Sequence, residues 1–182
     1  MILLIGASAS GKTEIAKLLR SRFQMVKAVT HTTRPMRVGE TNDVDYHFVS
    51  EEEFQKLLKE DAFVETTFYN GNHYGCSKKE IGHDKCVIVD PNGLKAFLAL
   101  HDPSIITFRL DAEEKTREAR MRLRKDKEED IERRIKNDRR DFADEVIAPT
   151  DYRIKTDDRS LEDLTEEIHE EYLKTLKRRG LL

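Results

Sequence analysis

The sequence predicts an α/β protein in which helices flank a parallel sheet, with one inserted lobe and one helical lid. Three observations predict this architecture. Apolar runs typical of buried strands alternate with amphipathic helical segments, as in consecutive βα units. Residues 31–84 are richer in short extended segments and turns than the rest of the chain. Residues 113–145 form a helical stretch in which 24 of 33 residues are charged, 12 of each sign, which indicates a solvated, salt-bridged surface.

The first predicted elements are a buried strand at residues 2–5, a turn bounded by glycine and an amphipathic helix. In that helix Ile15, Leu18 and Leu19 recur at helical spacing and share one face. A short second strand is predicted at residues 25–29, and the chain then enters the inserted region.

Within the inserted region, residues 45–49 are predicted to be extended and a capping box then opens a helix. The box consists of Ser50 and Glu53, whose side chains can each bind the other's backbone N–H. The apolar face of this helix carries Phe54, Leu57 and Leu58.

Three later strands are predicted at residues 62–68, 86–90 and 104–110, with Asn-Gly turn signals at residues 70–71 and 92–93.

Two further helix starts are marked by polar caps. Asp111 is predicted to cap a helix from about Glu113, and Ser160 with Asp163 to cap the last helix. The last helix carries Leu161, Leu164, Ile168 and Tyr172 on one side.

The overall composition excludes several classes of protein. Lys and Arg number 33 against 36 Asp and Glu, a net charge of -3, which argues against a generally basic nucleic-acid or membrane-surface binder. No apolar stretch approaches the ~20 residues of a membrane span. Cys76 and Cys86 are the only cysteines and form no C-x-x-C pair, so we expect free thiols and a cytoplasmic location. The histidines are scattered and predict no zinc site: His31, His47, His73, His83, His101 and His169.

Residues 6–13, G-A-S-A-S-G-K-T, match the phosphate-binding loop G-x-x-x-x-G-K-[ST] in full, between a predicted strand and a predicted helix. The glycines let successive backbone N–H groups point at one anion, and the helix N-terminus adds partial positive charge. Lys12 is expected to reach the β- and γ-phosphates of a nucleoside triphosphate, and the Thr13 hydroxyl to hold Mg²⁺. GTPases, motor ATPases and small-molecule kinases share this loop, so the loop alone does not decide among them. The predicted triphosphate-binding residues, which bind ATP if the chain is a kinase, are Gly6, Ala7, Ser8, Ala9, Ser10, Gly11, Lys12 and Thr13.

A second set of motifs lies between residues 30 and 76. Residues 32–40 read T-T-R-P-M-R-V-G-E, residues 45–48 D-Y-H-F, residues 63–65 F-V-E and residues 74–76 Y-G-C. Two arginines three residues apart suit a monophosphate dianion, and tyrosine hydroxyls can donate to the same group. A carboxylate at residue 65 can accept both N1–H and the N2 amino group of guanine, a donor pair that adenine lacks.

In the order and spacing of these motifs, the sequence resembles the guanylate kinases over nearly its whole length. The resemblance implies a P-loop NTPase-type fold with one domain over residues 1–182. Its core would comprise residues 1–30, 85–112 and 146–182, its NMP-binding lobe residues 31–84 and its lid residues 113–145. The implied reaction is ATP-dependent phosphorylation of GMP or dGMP with Mg²⁺, by a monomer or homodimer that binds neither nucleic acid nor membrane.

The resemblance also implies roles for individual residues. Asp90 falls on the second Asp of the family's D-x-D, where it could assist Thr13 in holding Mg²⁺ through water. Arg133 or Arg122 could substitute for individual lid arginines. The implied GMP-binding residues are Thr30, Arg34, Arg37, Tyr46, Glu65, Tyr74, Cys76 and Asp90. The implied catalytic residues are Lys12, Arg34, Arg120, Arg124 and Arg134.

Two departures from the family pattern affect the reading of the base. Cys76 replaces the hydroxyl residue of Y-G-[ST], so that contact weakens or passes to Ser77, and Ile88 stands where the family commonly has the first Asp. A kinase acting on ribose 1,5-bisphosphate, which needs no base reader, is therefore one alternative. The non-catalytic alternatives are a peptide-binding guanylate-kinase-like module and a nucleotide sensor; the intact Lys12 and Thr13 disfavour the module.

Overall fold

The computed structural model describes residues 1–69 and 71–182, so the turn signal predicted at residues 70–71 lies partly outside the described residues. The strands described are β1 Ile2–Ile5, β2 Val26–Lys27, β3 His31–Thr32, β4 His47–Phe48, β5 Phe63–Tyr69, β6 Asn72–Ser77, β7 Lys85–Ile88, β8 Ile106–Asp111 and β9 Tyr152–Lys155. The α-helices are α1 Lys12–Phe23, α2 Glu51–Lys59, α3 Pro91–Leu98, α4 Glu114–Leu123, α5 Glu128–Asp141 and α6 Leu161–Arg178.

The central sheet contains five parallel strands in the order β2-β7-β1-β8-β9. Strand β1 is buried along its whole length because helices cover both faces of the sheet. Ile2 and Leu4 pack on one side with α1 and α6, whereas Leu3 and Ile5 pack on the other side with α3. The predicted parallel sheet flanked by helices is confirmed.

A second, four-stranded sheet lies between β2 and β7 in the chain, with strand order β4-β3-β6-β5. Helix α2 accompanies it and begins at the predicted capping box, where Ser50 Oγ accepts from the Glu53 N–H at 3.1 Å. Phe54 is buried on this helix, but Leu58 is 44% exposed, so the predicted apolar face is narrower than the sequence spacing indicates.

Helices α4 and α5 carry most of the charged stretch. Met121, Ile131 and Ile135 form a small buried cluster between them, with Ala9 of the glycine-bounded loop packed against it. The apolar contact places both helices directly beside the loop.

Several local predictions were wrong, each because a tertiary contact or a stronger local signal decided the structure. Asp111 is the last residue of β8 and does not cap α4, since its carboxylate binds Arg109 and Arg153. Residues 92–93 lie in the first turn of α3, where Asp90 is the cap and Pro91 the first helical residue.

The second strand is shorter than predicted and spans Val26–Lys27 only. The Ser160 cap of α6 is confirmed, with its side chain accepting from the Asp163 N–H at 3.0 Å. In the part of the chain that the structure describes, none of the helices combines the length and apolarity needed to cross a membrane.

Candidate active site

The loop between β1 and α1 is tightly folded around its first glycine. A Cβ atom on Gly6 would lie 2.7 Å from Ser10 Oγ and would also collide with the Leu110 carbonyl oxygen, so only glycine fits. Gly11 has φ +102°, in a region favoured by glycine, and immediately precedes α1. The backbone therefore turns back toward the start of α1, as the motif predicts.

Lys12 bends over this loop. Its ammonium donates to the carbonyl oxygens of Gly6 at 2.6 Å and Ala7 at 2.8 Å. Burial lowers the pKa of Lys12 to about 8, against an opposing contribution from Asp138, with Arg117 and Arg124 lowering it further. A bound polyphosphate would favour the charged ammonium, so proton binding and phosphate binding are coupled at this residue.

This coupling predicts that nucleotide affinity depends on pH. Lys12 is mostly charged below pH 8 and mostly neutral above it, so the Kd for Mg·ADP is expected to rise about tenfold between pH 7 and pH 9. Isothermal titration calorimetry measures this directly. The Lys12→Arg variant, which keeps its charge throughout the range, should show a flat profile; a flat profile in the wild-type protein would contradict the prediction.

A cavity of about 350 Å³ opens beside the loop, between the start of α1 and helix α4. Leu123, 85% exposed, and Leu161 give its wall an apolar part, and Arg120 and Arg124 a basic part. This combination suits a flat, partly apolar ring next to phosphates. The cavity is lined by Ala9, Ser10, Gly11, Lys12, Thr13, Glu14, Arg120, Leu123, Arg124, Arg159 and Leu161.

The three predicted lid arginines bind two separate sets of partners. Arg120 donates to the Ala9 carbonyl at 3.2 Å and to the Thr156 hydroxyl at 3.2 Å, which ties α4 to the loop and to the residue after β9. Arg124 and Arg134 both bind Asp126, at 2.6 and 3.2 Å. Asp126 therefore pairs Arg124, the residue directly after α4, with an arginine of α5, a role that sequence spacing alone did not indicate.

Arg34 and the two predicted tyrosines lie together in the four-stranded sheet and its loops. The Arg34 guanidinium binds Glu40 at 2.6 Å and lies 5.4 Å from the centre of the Tyr46 ring, and Tyr46 contacts Tyr74 edge to face. Hydrogen bonding to Glu40 raises the pKa of Arg34, with a smaller contribution from Tyr74. Arg37 is exposed nearby, where its backbone N–H donates to the same Glu40 carboxylate at 2.7 Å.

Lys27 is a neighbour of this cluster that the sequence reasoning missed. It lies on β2 of the central sheet, yet its ammonium is 5.5 Å from the centre of the Tyr46 ring. Among residues 1–69 and 71–182, no carboxylate lies within ion-pairing distance of Lys27. No motif flags this position, because the contact joins two different sheets.

Glu65 is a partly buried carboxylate on β5. Burial raises its pKa and the negative charge of Asp90 adds to this, while a hydrogen bond from the Cys76 backbone acts in the opposite direction. Asp90 itself caps α3, with Oδ1 accepting from the Gly93 N–H at 2.7 Å. Ile88, 40% exposed, presents apolar surface at the end of β7.

The other residues predicted to contact the base are buried or form hydrogen bonds with the protein backbone. Cys76 is 1% exposed and its thiol packs among apolar core residues, where burial raises its pKa to about 12. Ser77 is also buried, and its hydroxyl oxygen accepts from the Lys79 N–H at 3.1 Å. The carbonyl of Thr30 accepts from the His47 N–H, which joins the residue before β3 to β4.

A family model described as guanylate kinase matches residues 1–175. The chain belongs to the guanylate kinase family. As a guanylate kinase family member it is a nucleoside monophosphate kinase, and the activity of the family is ATP-dependent phosphorylation of GMP.

Individual guanylate kinases support the assignment. The chain is 32% identical to the guanylate kinase of Neisseria meningitidis serogroup A over 192 residues, covering all of this chain and 93% of the relative. It is 33% identical to that of Nitrosospira multiformis, covering 97% and 88% of the two chains. The crystal structure of guanylate kinase from Anaplasma phagocytophilum aligns with all of this chain over 96% of its own length. The TM-score is 0.61 at 20% sequence identity, so the two proteins share a fold.

Proposed function

We propose that this guanylate kinase family member transfers the γ-phosphoryl group of ATP to GMP or dGMP, giving the diphosphate and ADP. The observation that carries the proposal is the cluster of Arg34, Tyr46 and Tyr74, which lies on a sheet inserted into a core with an intact phosphate loop. The guanidinium of Arg34 and the phenolic hydroxyls of the two tyrosines suit the acceptor phosphate. The half-buried carboxylate of Glu65 suits the N1–H and N2 amino groups of guanine.

Residues 31–84 form the NMP-binding lobe and residues 113–145 the lid, on a core made of residues 1–30, 85–112 and 146–182. Residues 6–13 hold ATP. Thr30, Arg34, Arg37, Tyr46, Glu65, Tyr74, Cys76 and Asp90 belong to the acceptor site, with the thiol of Cys76 the most deeply buried of these groups. Lys12, Arg34, Arg120, Arg124 and Arg134 stabilise charge on the transferring group.

The donor atoms near the loop fit Mg²⁺ held largely by phosphates and water. They are the hydroxyl of Thr13, at the start of α1, and the carboxylate of Asp90, which uses one oxygen as a helix cap. Among the described residues there is no cluster of three or more acidic, histidine or cysteine ligands, and Mg²⁺ at phosphate sites seldom needs one. Bound there, Mg²⁺ would neutralise charge on the β- and γ-phosphates.

The chain's own residues then act by orientation and electrostatics, since phosphoryl transfer requires no covalent intermediate with the protein. Arg34 and the tyrosines orient the acceptor phosphate so that its oxygen attacks in line with the departing ADP. Lys12 and the lid arginines hold the donor phosphates and stabilise the charge that spreads over the transferring group. Closure of the lid and the lobe excludes water, which would otherwise compete as acceptor.

The test is the formation of ADP from Mg·ATP with GMP, dGMP, AMP, UMP, CMP and ribose 1,5-bisphosphate, using Lys12→Ala as the blank. We expect turnover with GMP or dGMP only, which would mean that Glu65 reads guanine without polar side chains at residues 76 and 88. The exposed Ile88 favours the ribose bisphosphate alternative, and activity with that acceptor alone would overturn the guanine assignment. Nucleotide binding without any turnover would indicate a sensor.

Lys27 provides a further prediction within this site. Its charge beside Tyr46 is expected to strengthen binding of the acceptor phosphate by about 1 kcal/mol, so Lys27→Met should raise the KM for GMP about fivefold. The KM for ATP should not change, because Lys27 contacts the acceptor cluster. Lys59→Met, on the exposed end of α2, is the matched control; equal KM values for GMP in the two variants would remove Lys27 from the site.

The proposed location is the cytoplasm. It is supported by Cys76 and Cys86, which are both free thiols buried in the core.

A further inference from the structure

A buried ion pair joins the two helices of the charged stretch. Arg117 of α4 binds Asp138 of α5 at 2.7 Å, and the two residues are only 7% and 8% exposed. A second ion pair between the same helices, Arg139 with Glu114, lies at the surface. Removing charged groups from water costs free energy. The presence of the buried ion pair therefore needs an explanation, whereas that of the surface pair does not.

The buried pair also contacts the phosphate loop at Ser8. The Asp138 carboxylate accepts from the Ser8 backbone N–H at 3.0 Å and from the Ser8 hydroxyl at 3.3 Å. Arg117 donates to the Ser8 carbonyl oxygen at 3.4 Å. Every polar group of Ser8 is thus bound by one of these two helices.

The next residue explains why the loop needs such an anchor. Ala9 has φ +60°, in the left-handed region that residues other than glycine seldom adopt. Such a conformation persists only where surrounding contacts hold it. Ser8 is fixed by Asp138 and Arg117 on one side, and the Ala9 carbonyl accepts from Arg120 on the other.

A role limited to holding α4 against α5 does not require charge. Well-packed apolar residues commonly replace a buried ion pair without loss of stability. An apolar pair, however, leaves the Ser8 N–H without an acceptor. The carboxylate is needed by the loop, and Arg117 neutralises it next to a site for phosphates.

We propose that Asp138 is a positioning residue, which acts through Ser8 to hold the phosphate loop in its nucleotide-binding shape. The inference rests on the nucleotide-binding part of the proposed function and is independent of the identity of the acceptor.

The decisive variant is the double replacement Arg117→Leu with Asp138→Ala, which keeps the net charge unchanged. We expect its melting temperature to stay near the wild-type value while its Kd for Mg·ADP, measured by calorimetry, rises about tenfold. The matched control is Glu114→Ala with Arg139→Leu, which removes the exposed α4–α5 pair and should leave the Kd within about twofold. Asp138→Asn keeps an oxygen for the Ser8 N–H and should retain most of the affinity.

A wild-type Kd in the stable double variant would overturn the proposal. Should that variant be unstable, amide hydrogen exchange of the wild-type protein decides: slow exchange at Ser8 supports the anchor, and exchange at the rate of an unprotected amide overturns it. Binding of Mg·ADP is the readout, so a wild-type protein that binds it but phosphorylates no acceptor would refute the proposed function and leave this test intact.

Discussion

Replacing Lys12 with alanine is expected to lower kcat about 10³-fold, the largest effect of any single substitution in this protein. The ammonium lies 2.6 Å from the Gly6 carbonyl and is held over the loop by that contact. Its removal takes away the positive charge closest to the loop, where charge develops in the transition state. Single-turnover kinetics with saturating ATP and GMP would separate this loss from weaker binding.

The control for Lys12 is another lysine of the same helix. Lys17 is exposed on α1 and pairs with Glu14 at 2.9 Å, so Lys17→Ala should leave kcat unchanged. If the Lys12→Ala protein is folded and retains more than about a tenth of the wild-type kcat, Lys12 is not a catalytic residue.

The second large effect is expected at the acceptor site. Arg34→Lys should lower kcat/KM for GMP about 10²-fold, although the charge is kept, because an ammonium cannot make the two parallel hydrogen bonds of a guanidinium. The Arg34 side chain is held by Glu40 at 2.6 Å and stacks near Tyr46, and a shorter group with different geometry would lose that orientation. Steady-state kinetics with GMP as the varied substrate would measure the loss.

An arginine-to-lysine substitution outside the acceptor site serves as the control for Arg34→Lys. Arg22 is an exposed arginine of α1 that pairs with Glu166, so Arg22→Lys should behave as wild type. The KM for ATP should stay within about twofold in both variants, since Arg34 contacts the acceptor. Wild-type kcat/KM for GMP in Arg34→Lys would mean that the acceptor phosphate binds elsewhere.

Patterns local in sequence predicted much of the fold. The strand at residues 2–5, the glycine-bounded loop and α1 follow from hydrophobic periodicity and from two glycines, Gly6 and Gly11, at required positions. The capping signals at Ser50 and Ser160 placed the starts of α2 and α6 correctly. These features depend on interactions within about four residues along the chain, which a sequence displays directly.

Contacts between distant residues were not predictable in the same way. Lys27 reaches Tyr46 from another sheet, and Asp138 reaches Ser8 from 130 residues away. Asp111 has the residue type of a helix cap, yet its carboxylate binds arginines of β8 and β9. Each of these depends on which elements the topology brings together.

The sequence by itself determined the fold class, the phosphate loop and the membership of the kinase family, because each is encoded in short motifs with fixed spacing. It also identified Arg34, Tyr46 and Tyr74 as one group, which the structure brings together. Tertiary structure alone decided which of the many charges between residues 113 and 145 are buried and paired. The physical reason is that a charge interacts with whatever lies within a few ångströms of it, and only the folded chain establishes those neighbours.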